Sequence, residues 1–516
     1  MKRSECIENR RPGGQRRRCG IWPVLLLAAA GLGLYWHTLP APFIFDDAAA
    51  IVNNASIREV SPAVLAAPRD TPTAGRPVVN ATLAFNYALG GLDVTGFHAL
   101  NIAIHICCAL VLYGIVRRTL LGGTAERALA SSPVVRRPTT GDVAIAPSAV
   151  PRHHLVALSA SLLWLVHPLQ TECVSYVTQR TESIMALFFL LTLYAAIRAR
   201  GSDRSRWWSA AAIVACGLGM ASKESMVTAP LLVVLYDWAY RDGPWRQVLA
   251  RRRGLYAGLA ATWVVLLALS VTGPRSETVG FGLGVTAWQY GLNQCVVVVE
   301  YLGRVVWPDG LLLDYGFPRS LGVAEAAPWA LALLGLIGLT AVLLLRRPSL
   351  GYPAAWFFVV LAPTSSVVPI ATEVAADRRV YLALAGLTVL AAVAGFAMIE
   401  AARQHLGGHL QRGGRLAGVT SLIMLIMLIV AATSLSTVSW RRAAMYREPV
   451  TLWEQAVDAH PRNHRALTNL AVALAAEGRY TEATVHMLRA AAVDPGSTIT
   501  ADNVAALLAA GAGRNR

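Results

Sequence analysis

The amino-acid sequence predicts an all-α, polytopic membrane protein with a short helical-repeat tail. Three observations carry that class. Of the 516 residues, 55% are apolar and only 15% charged, more apolar surface than one water-soluble core can bury. Apolar segments of spanning length alternate with short Arg-rich loops. After Trp440 the apolar runs give way to a self-similarity with a 34-residue period.

Charge and cysteine content exclude some functions. The formal charge of +16 is concentrated in loops between apolar spans, where arginines set orientation, and with no nucleic-acid module visible no nucleic-acid partner is expected. Seven cysteines, an odd number, fall mostly in apolar spans (Cys107, Cys108, Cys216, Cys295) or near the amino terminus (Cys6, Cys19). They read as core fillers without metal-ligand spacing, so no disulfide framework, metal or cofactor is expected. The chain has only two lysines, Lys2 and Lys223, and its Ala- and Arg-rich composition points to a GC-rich bacterial genome. Lys223 therefore stands out as a compact ammonium in a chain that otherwise uses guanidinium groups.

The basic segment 1–20 precedes the apolar run from Ile21 to Leu39 and is expected to remain cytoplasmic. That run lacks a small-x-small cleavage site and is followed by many more spans, which favours an uncleaved anchor over a signal peptide. Residues 40–96 form the first external loop. Apolar runs at 97–116, 154–170, 183–198, 208–222, 225–240, 254–272, 327–345, 351–371, 380–399 and 416–438 bring the expected count to about eleven within a membrane domain of 21–440. Alternation places the Arg-rich loops 117–153, 198–207, 241–253, 346–349 and 402–415 in the cytoplasm. The stretch 285–307 is interrupted by Asn293, Gln294, Glu300 and Arg304. Counting it as a crossing would move every later Arg loop outside, so a re-entrant or interfacial helix, or a pair of half-spans, is expected there. The carboxyl terminus then lies outside.

On this topology one external face gathers Asp46 and Asp47, Arg76, the segment 167–182 with His167, Glu172, Arg180 and Glu182, the "SKES" turn with Lys223 and Glu224, the 273–326 loop, and "TEVAADRRVYL" at 372–382. Ionisable groups near a bilayer are costly and mark sites. A carboxylate at a cavity mouth can take the proton from an acceptor hydroxyl as its oxygen attacks a sugar carbon. The departing lipid phosphate would need Arg or Lys at the water–lipid boundary. Asp46/Asp47 and Arg378/Arg379 have these complementary characters. An Asp pair also serves as an ordinary turn or helix cap, and an Arg pair after a span as an ordinary topology anchor. His167, Glu172, Arg180 and Glu182 read equally as a salt-bridged rim. His98, Asn101 and His105 share one helical face at i, i+3 and i+7 and read equally as polar core packing.

In the segment 441–512, an offset of 34 residues pairs Ala456/Ala490, Pro461/Pro495, Asn469/Asn503, Ala471/Ala505, Leu474/Leu508 and Ala475/Ala509, the tetratricopeptide-repeat (TPR) period. One whole repeat fits at 464–495, flanked by helices at about 447–460 and 499–510. Such arrays need about three repeats to bury a continuous core, so the tail is expected to lean on the membrane domain or on a protein partner.

The strings "FIFDDAAAIVNN", "GRPVVNATLAFNYALGGLDVTGFHALNIAIHICCALVLY", "LWLVHPLQTECVSYVTQR", "ASKESMVTAPLLVVLYDW", "ADRRVYLAL" and "EPVTLWEQAVDAHPRNHRALTNLAVAL" together resemble the transmembrane-and-TPR (TMTC-like) protein O-mannosyltransferases and their bacterial relatives, within the C-type (GT-C) glycosyltransferases. The resemblance runs over nearly the whole chain in the same order. It implies a GT-C membrane fold and an inverting, metal-independent transfer of a hexose, mannose in the first place, from a polyprenyl-phosphate sugar to Ser or Thr hydroxyls of exported proteins. It implies that Asp46 and Asp47 hold the acidic-motif positions, one as base and the other orienting it or binding the acceptor. Arg378, followed closely by Tyr381, would hold the donor phosphate, with Arg379 and Lys223 on the same side. Arg76, His98, His167, Glu172, Arg180 and Glu224 are the remaining candidates for acceptor or sugar contact. The doubled Arg, and Ala383 where a Pro is usual after "YL", depart from the family pattern. The expected location is a bacterial cytoplasmic membrane, with site and tail outside. Two other readings stay open: the same chemistry on a lipid or cell-wall glycan, and a transporter or non-enzymatic scaffold recruiting partners through the tail. Against transport, the sequence shows no inverted repeat and no matched pair of broken helices.

Overall fold

A computed structural model describes residues 21–65, 67–68, 71–122, 152–241, 243–272, 280, 284–366, 368–407 and 413–496. The basic segment 1–20, most of the 117–153 loop and the helix expected at 499–510 lie outside the described residues.

The elements are helices. The first half of the chain contributes α1 (Trp22–Tyr35), α2 (Pro77–Gly90), α3 (Val94–Leu121), α4 (Arg152–Leu165), α5 (Arg180–Arg198), α6 (Ser205–Met220), α7 (Ala229–Ala239), α8 (Trp245–Ala261) and α9 (Trp263–Thr272). The second half contributes α10 (Ala287–Val306), α11 (Val323–Arg346), α12 (Pro348–Leu361), α13 (Val380–Gly407), α14 (Gly413–Met445), α15 (Pro449–Ala459), α16 (His464–Ala476) and α17 (Tyr480–Val493).

Local chemistry sets several of the boundaries. Pro77 opens α2, where its missing N–H costs nothing, and Gly91 closes it at φ +62°. Asp93 caps α3 by accepting from the Thr95 N–H at 3.0 Å. Thr286 and Asn463 cap α10 and α16 in the same way, accepting from Gln289 at 3.1 Å and Ala466 at 3.3 Å.

Among the described residues, five helical stretches are long and apolar enough to cross a membrane: Val94–Leu121, Val177–Arg198, Trp245–Val271, Val323–Arg346 and Asp377–Ala402. The other apolar runs form shorter elements, such as the 14 residues of α1 and the 11 of α7, because one-turn helices and bends interrupt the run. The expected count of about eleven crossings rests on apolar length and the alternation of Arg-rich loops, neither of which registers those interruptions. Two boundaries are corrected outright. The basic residues 251–253 belong to α8 and not to a loop: Arg252 pairs with the Asp237 carboxylate and donates to the Ala196 carbonyl at 2.6 Å, so its charge is satisfied within a helix. The 285–307 stretch is one unbroken helix, not two half-spans. Its interrupting amides donate to backbone packed against it, Asn293 to the Arg319 carbonyl at 2.8 Å and Gln294 to the Val374 carbonyl at 2.9 Å.

The core is built around α3, α4, α5 and α13. His105 joins three of them, pairing with the Tyr381 hydroxyl at 2.9 Å and the Leu165 carbonyl at 3.0 Å, while the Trp164 indole donates to the Tyr381 carbonyl at 2.9 Å. Helices α12 and α13 approach closely at Gly386, where a Cβ would lie 2.2 Å from the Pro353 carbonyl oxygen. In the tail, Trp453, Leu467, Leu470, Leu474, Ala483 and Met487 form one buried cluster with Ile44, Tyr176 and Leu313 of the membrane domain. The tail therefore leans on the membrane domain, against the turn at residues 44–45.

Candidate active site

Three walls meet on one side of the molecule. The first is the turn after α1. Phe45 has φ +47°, a backbone region that a bulky residue rarely adopts, and it aims the two carboxylates differently. Asp47 is 1% exposed. One of its oxygens accepts from the Ile44 N–H at 3.1 Å, the other from the Thr178 N–H at 2.7 Å and the Thr178 hydroxyl at 2.5 Å. Burial pushes its carboxyl up to about 7 despite these donors. Asp46 is half-buried, and its N–H donates to the Tyr176 hydroxyl at 3.0 Å. Burial raises its carboxyl as well, while Tyr176, Arg378 and Arg465 draw it back. Asn80 of α2 braces the loop that follows, accepting from Asn54 at 3.0 Å and donating to the Val64 carbonyl at 2.8 Å.

Opposite this turn stands the second wall, the segment before α13. Arg378 donates to Glu172 through its guanidinium at 2.6 Å and its backbone N–H at 2.9 Å, and to Glu373 at 2.5 Å. Arg379 lies deeper, with a side chain 3% exposed against 17% for Arg378. It is consumed by the Glu373 carboxylate and carbonyl, both at 3.0 Å, and the Tyr290 hydroxyl at 3.1 Å. Burial would raise Glu373, but Arg378 and Arg379 outweigh it and hold the carboxyl at about 2. Glu172 goes the other way: burial outweighs Arg378 and takes it to about 7.

The third wall is the Lys223 turn. Lys223 is ion-paired with Glu182, and Arg76 reaches Glu224 at 3.4 Å. Burial lowers Lys223 and brings Arg76 down to about 10, with Glu182 opposing both shifts. Arg76 lies in the field of Asp46 and Arg378, and Lys223 in that of Arg76 and Arg378. A small depression opens here, lined by Lys223, Glu224, Gly75 and Ser270 and by Met220, Leu266 and Leu269. A half-buried carboxylate thus faces a group of cations beside a partly apolar depression, an arrangement able to move a proton at one end and neutralise an anion at the other.

Residues 152–271 match the family model described as dolichyl-phosphate-mannose-protein mannosyltransferase. The chain is 28% identical over 234 residues to the human protein O-mannosyl-transferase TMTC4, a match that covers 42% of this chain and 29% of the relative. It is 23% identical over 511 residues to the Caenorhabditis elegans protein O-mannosyl-transferase F38B6.6, covering 94% of this chain and 65% of the relative. Over these stretches the sequence is similar to those two O-mannosyl-transferases. The chain thus spans about 29% of the length of the human relative and 65% of the nematode one. Among solved structures, ArnT from Cupriavidus metallidurans bound to undecaprenyl phosphate is similar with a TM-score of 0.42 and 14% identity, over 88% of this chain and 81% of that one.

Asp46, Asp47, Arg76, Glu172, Lys223, Glu224 and Arg378 all stand at the three walls. Five other candidates are buried, each with at least one hydrogen bond to the protein. His98 is 0% exposed and pairs with the Ala41 carbonyl at 3.0 Å. Arg180 is fully buried among Asn101 (2.7 Å), Asn86 (2.6 Å) and the Phe97 carbonyl (2.8 Å), with Asp47 the acidic group in its field. His167 accepts from the Leu169 N–H at 3.2 Å and contacts the Val305 carbonyl at 3.0 Å. Tyr381 turns its hydroxyl away, to His105 in the core, and Arg379 is sequestered as described. These residues support the walls. Sequence reasoning missed Tyr176, Glu373 and Arg465. The first two sit inside segments already marked as polar, so their charge or hydroxyl was a usable signal. Arg465 pairs with Asp314 across 151 residues, a relation that no local pattern carries.

Proposed function

We propose that this chain is a membrane glycosyltransferase that moves a hexose, mannose, from a polyprenyl-phosphate carrier to a Ser or Thr hydroxyl of an exported protein, with inversion at the sugar carbon. The observation that supports this reading is the half-buried Asp46 in the field of Arg378 and Arg76, with the ion pairs Arg378–Glu172, Arg76–Glu224 and Lys223–Glu182 alongside. Asp46 takes the acceptor hydroxyl proton as that oxygen attacks the anomeric carbon. The bond between that carbon and the phosphate oxygen breaks, and the electron pair leaves with the lipid phosphate. Arg378, Lys223 and Arg76 receive the resulting charge, so the scheme needs no metal.

Asp47 does not fit the role of base, since both its oxygens already accept backbone or hydroxyl donors. It holds the turn. Lys223 and Arg76, close to each other, supply the positive charge that a lipid phosphate would need. In this reading the protein lies in a bacterial cytoplasmic membrane with the site and tail outside.

The test is incubation of the purified full chain with labelled polyprenyl-phosphate mannose and a panel of exported proteins. Label should pass to protein, and Asp46→Asn should slow transfer by about 10²- to 10⁴-fold, the usual contribution of a positioned base. Full transfer by Asp46→Asn excludes it as the base. Label passing to lipid or glycan alone excludes the protein acceptor.

A further inference from the structure

The C-terminal helices reach the transfer site, and the scheme above makes no use of them. Phe45 turns the chain immediately before Asp46 at φ +47°, a conformation that persists only when surrounding packing imposes it. That packing comes from two sources. The Phe45 ring meets Trp453 of α15 edge-on at 5.4 Å between centroids and lies tilted against Tyr176 at 6.3 Å. Arg465, at the start of α16, stands 5.8 Å from the Phe45 ring centroid and 5.3 Å from that of Phe317.

The same guanidinium donates twice to the buried Asp314, at 2.5 and 2.7 Å, a planar fork that a lysine cannot reproduce. Asp314 belongs to the segment that also docks on the phosphate side: the Gly316 carbonyl accepts from the Val374 N–H at 3.0 Å, and Val374 adjoins the Glu373 that clamps Arg378 and Arg379. His464 seals this junction by stacking on Phe317 at 4.8 Å. One tail side chain therefore touches the acidic turn on one side and the segment bracing the arginine wall on the other.

We propose that Arg465 is a positioning residue of the transfer reaction: its fork on Asp314 and its contact with Phe45 hold the acidic turn and the Arg378 segment in register, so that the tail completes the active site. The activity arm of this proposal rests on the transferase reading above; its structural arm does not.

The experiment uses the full-length protein in detergent and has two readouts. Hydrogen exchange is followed in peptides covering residues 43–47 and 373–379, and mannose transfer is measured with saturating polyprenyl-phosphate mannose. Arg465→Gln should raise exchange in both peptides, leave α3 as protected as in the parent, and lower kcat about 10-fold or more, the scale expected when reacting groups are misplaced by a fraction of an ångström. Arg465→Lys, which keeps the charge and loses the fork, should fall between parent and Arg465→Gln. Arg465→Asp should be the most damaged, and combining it with Asp314→Arg should re-form the pair with reversed polarity and recover both readouts in part. Arg479→Gln, which breaks only exposed pairs, with Glu482 at 2.7 Å and Glu477 at 3.4 Å, should change neither.

Unchanged exchange in the two peptides after Arg465→Gln overturns the proposal, and so does raised exchange with undiminished transfer. If the parent protein transfers no sugar, the transferase reading falls, and the exchange data alone then decide whether Arg465 organises the two walls.

Discussion

At the scale of single residues, the two adjacent aspartates are separated by what their oxygens touch. Asp47 behaves as part of the backbone scaffold, and Asn in its place would set an NH₂ against one of the N–H donors it now serves. Asp47→Asn should lower stability by roughly 1–3 kcal/mol, the cost of an unmatched buried polar group, and should retain measurable transfer where Asp46→Asn does not; thermal unfolding in detergent and label transfer check the two parts. A base works only when deprotonated, so the transfer rate should rise with pH through the pKa of Asp46. Because burial raises that carboxyl, the acid limb of a kcat profile should sit above the ordinary carboxylate range. Glu373 works in the opposite sense. Its folded-state pKa of about 2 lies below the usual 4.5, so the stability it contributes is full above 4.5 and is lost as pH falls towards 2. Glu373→Gln should flatten the acid-side decline in melting temperature between those values. The sequence identified both doublets, Asp46/Asp47 and Arg378/Arg379, yet gave no sign of which member was exposed, since neighbours in sequence acquire different burial only from the elements packed on them.

At the scale of elements, the apolar helices at α3, α5, α11 and α13 were legible because a continuous apolar run needs no partner to declare itself. Shorter or polar helices were less so. The arginines of α8 read as a loop because charge pattern says nothing about Asp237, which is 15 residues away from Arg252 in sequence and on another helix. The amides of α10 read as interruptions because their acceptors lie in a distant segment. Packing between elements makes a prediction of its own. Gly386 lets α13 lie against α12 where a Cβ would come within 2.2 Å of the Pro353 carbonyl oxygen and 3.0 Å of the Trp356 Cβ. Gly386→Ala should therefore destabilise the protein by roughly 1–3 kcal/mol, as overpacked sites do, with a lower thermal midpoint in detergent and no direct effect on the distant site residues.

At the scale of the whole molecule, the orientation proposed above puts the acidic turn, the Arg378 segment and the tail on the external side, a proposal that labelling can test. Exposed Asp309, between α10 and α11, should then be external, and exposed Asp203, between α5 and α6, cytoplasmic. Cysteines introduced at the two positions in intact cells should differ in reaction with a membrane-impermeant maleimide: Asp309→Cys labels and Asp203→Cys does not, and the reverse pattern would place the site on the wrong side for a lipid-linked donor. The division of labour within the tail has a practical corollary. Anchorage is provided by α15 and the first turn of α16, through Trp453 and Arg465, whereas Val493 ends α17 two helix lengths further on. A longer helical array grafted behind Val493 would leave the contacts of Trp453 and Arg465 undisturbed, which makes that junction a natural place to append further helical modules.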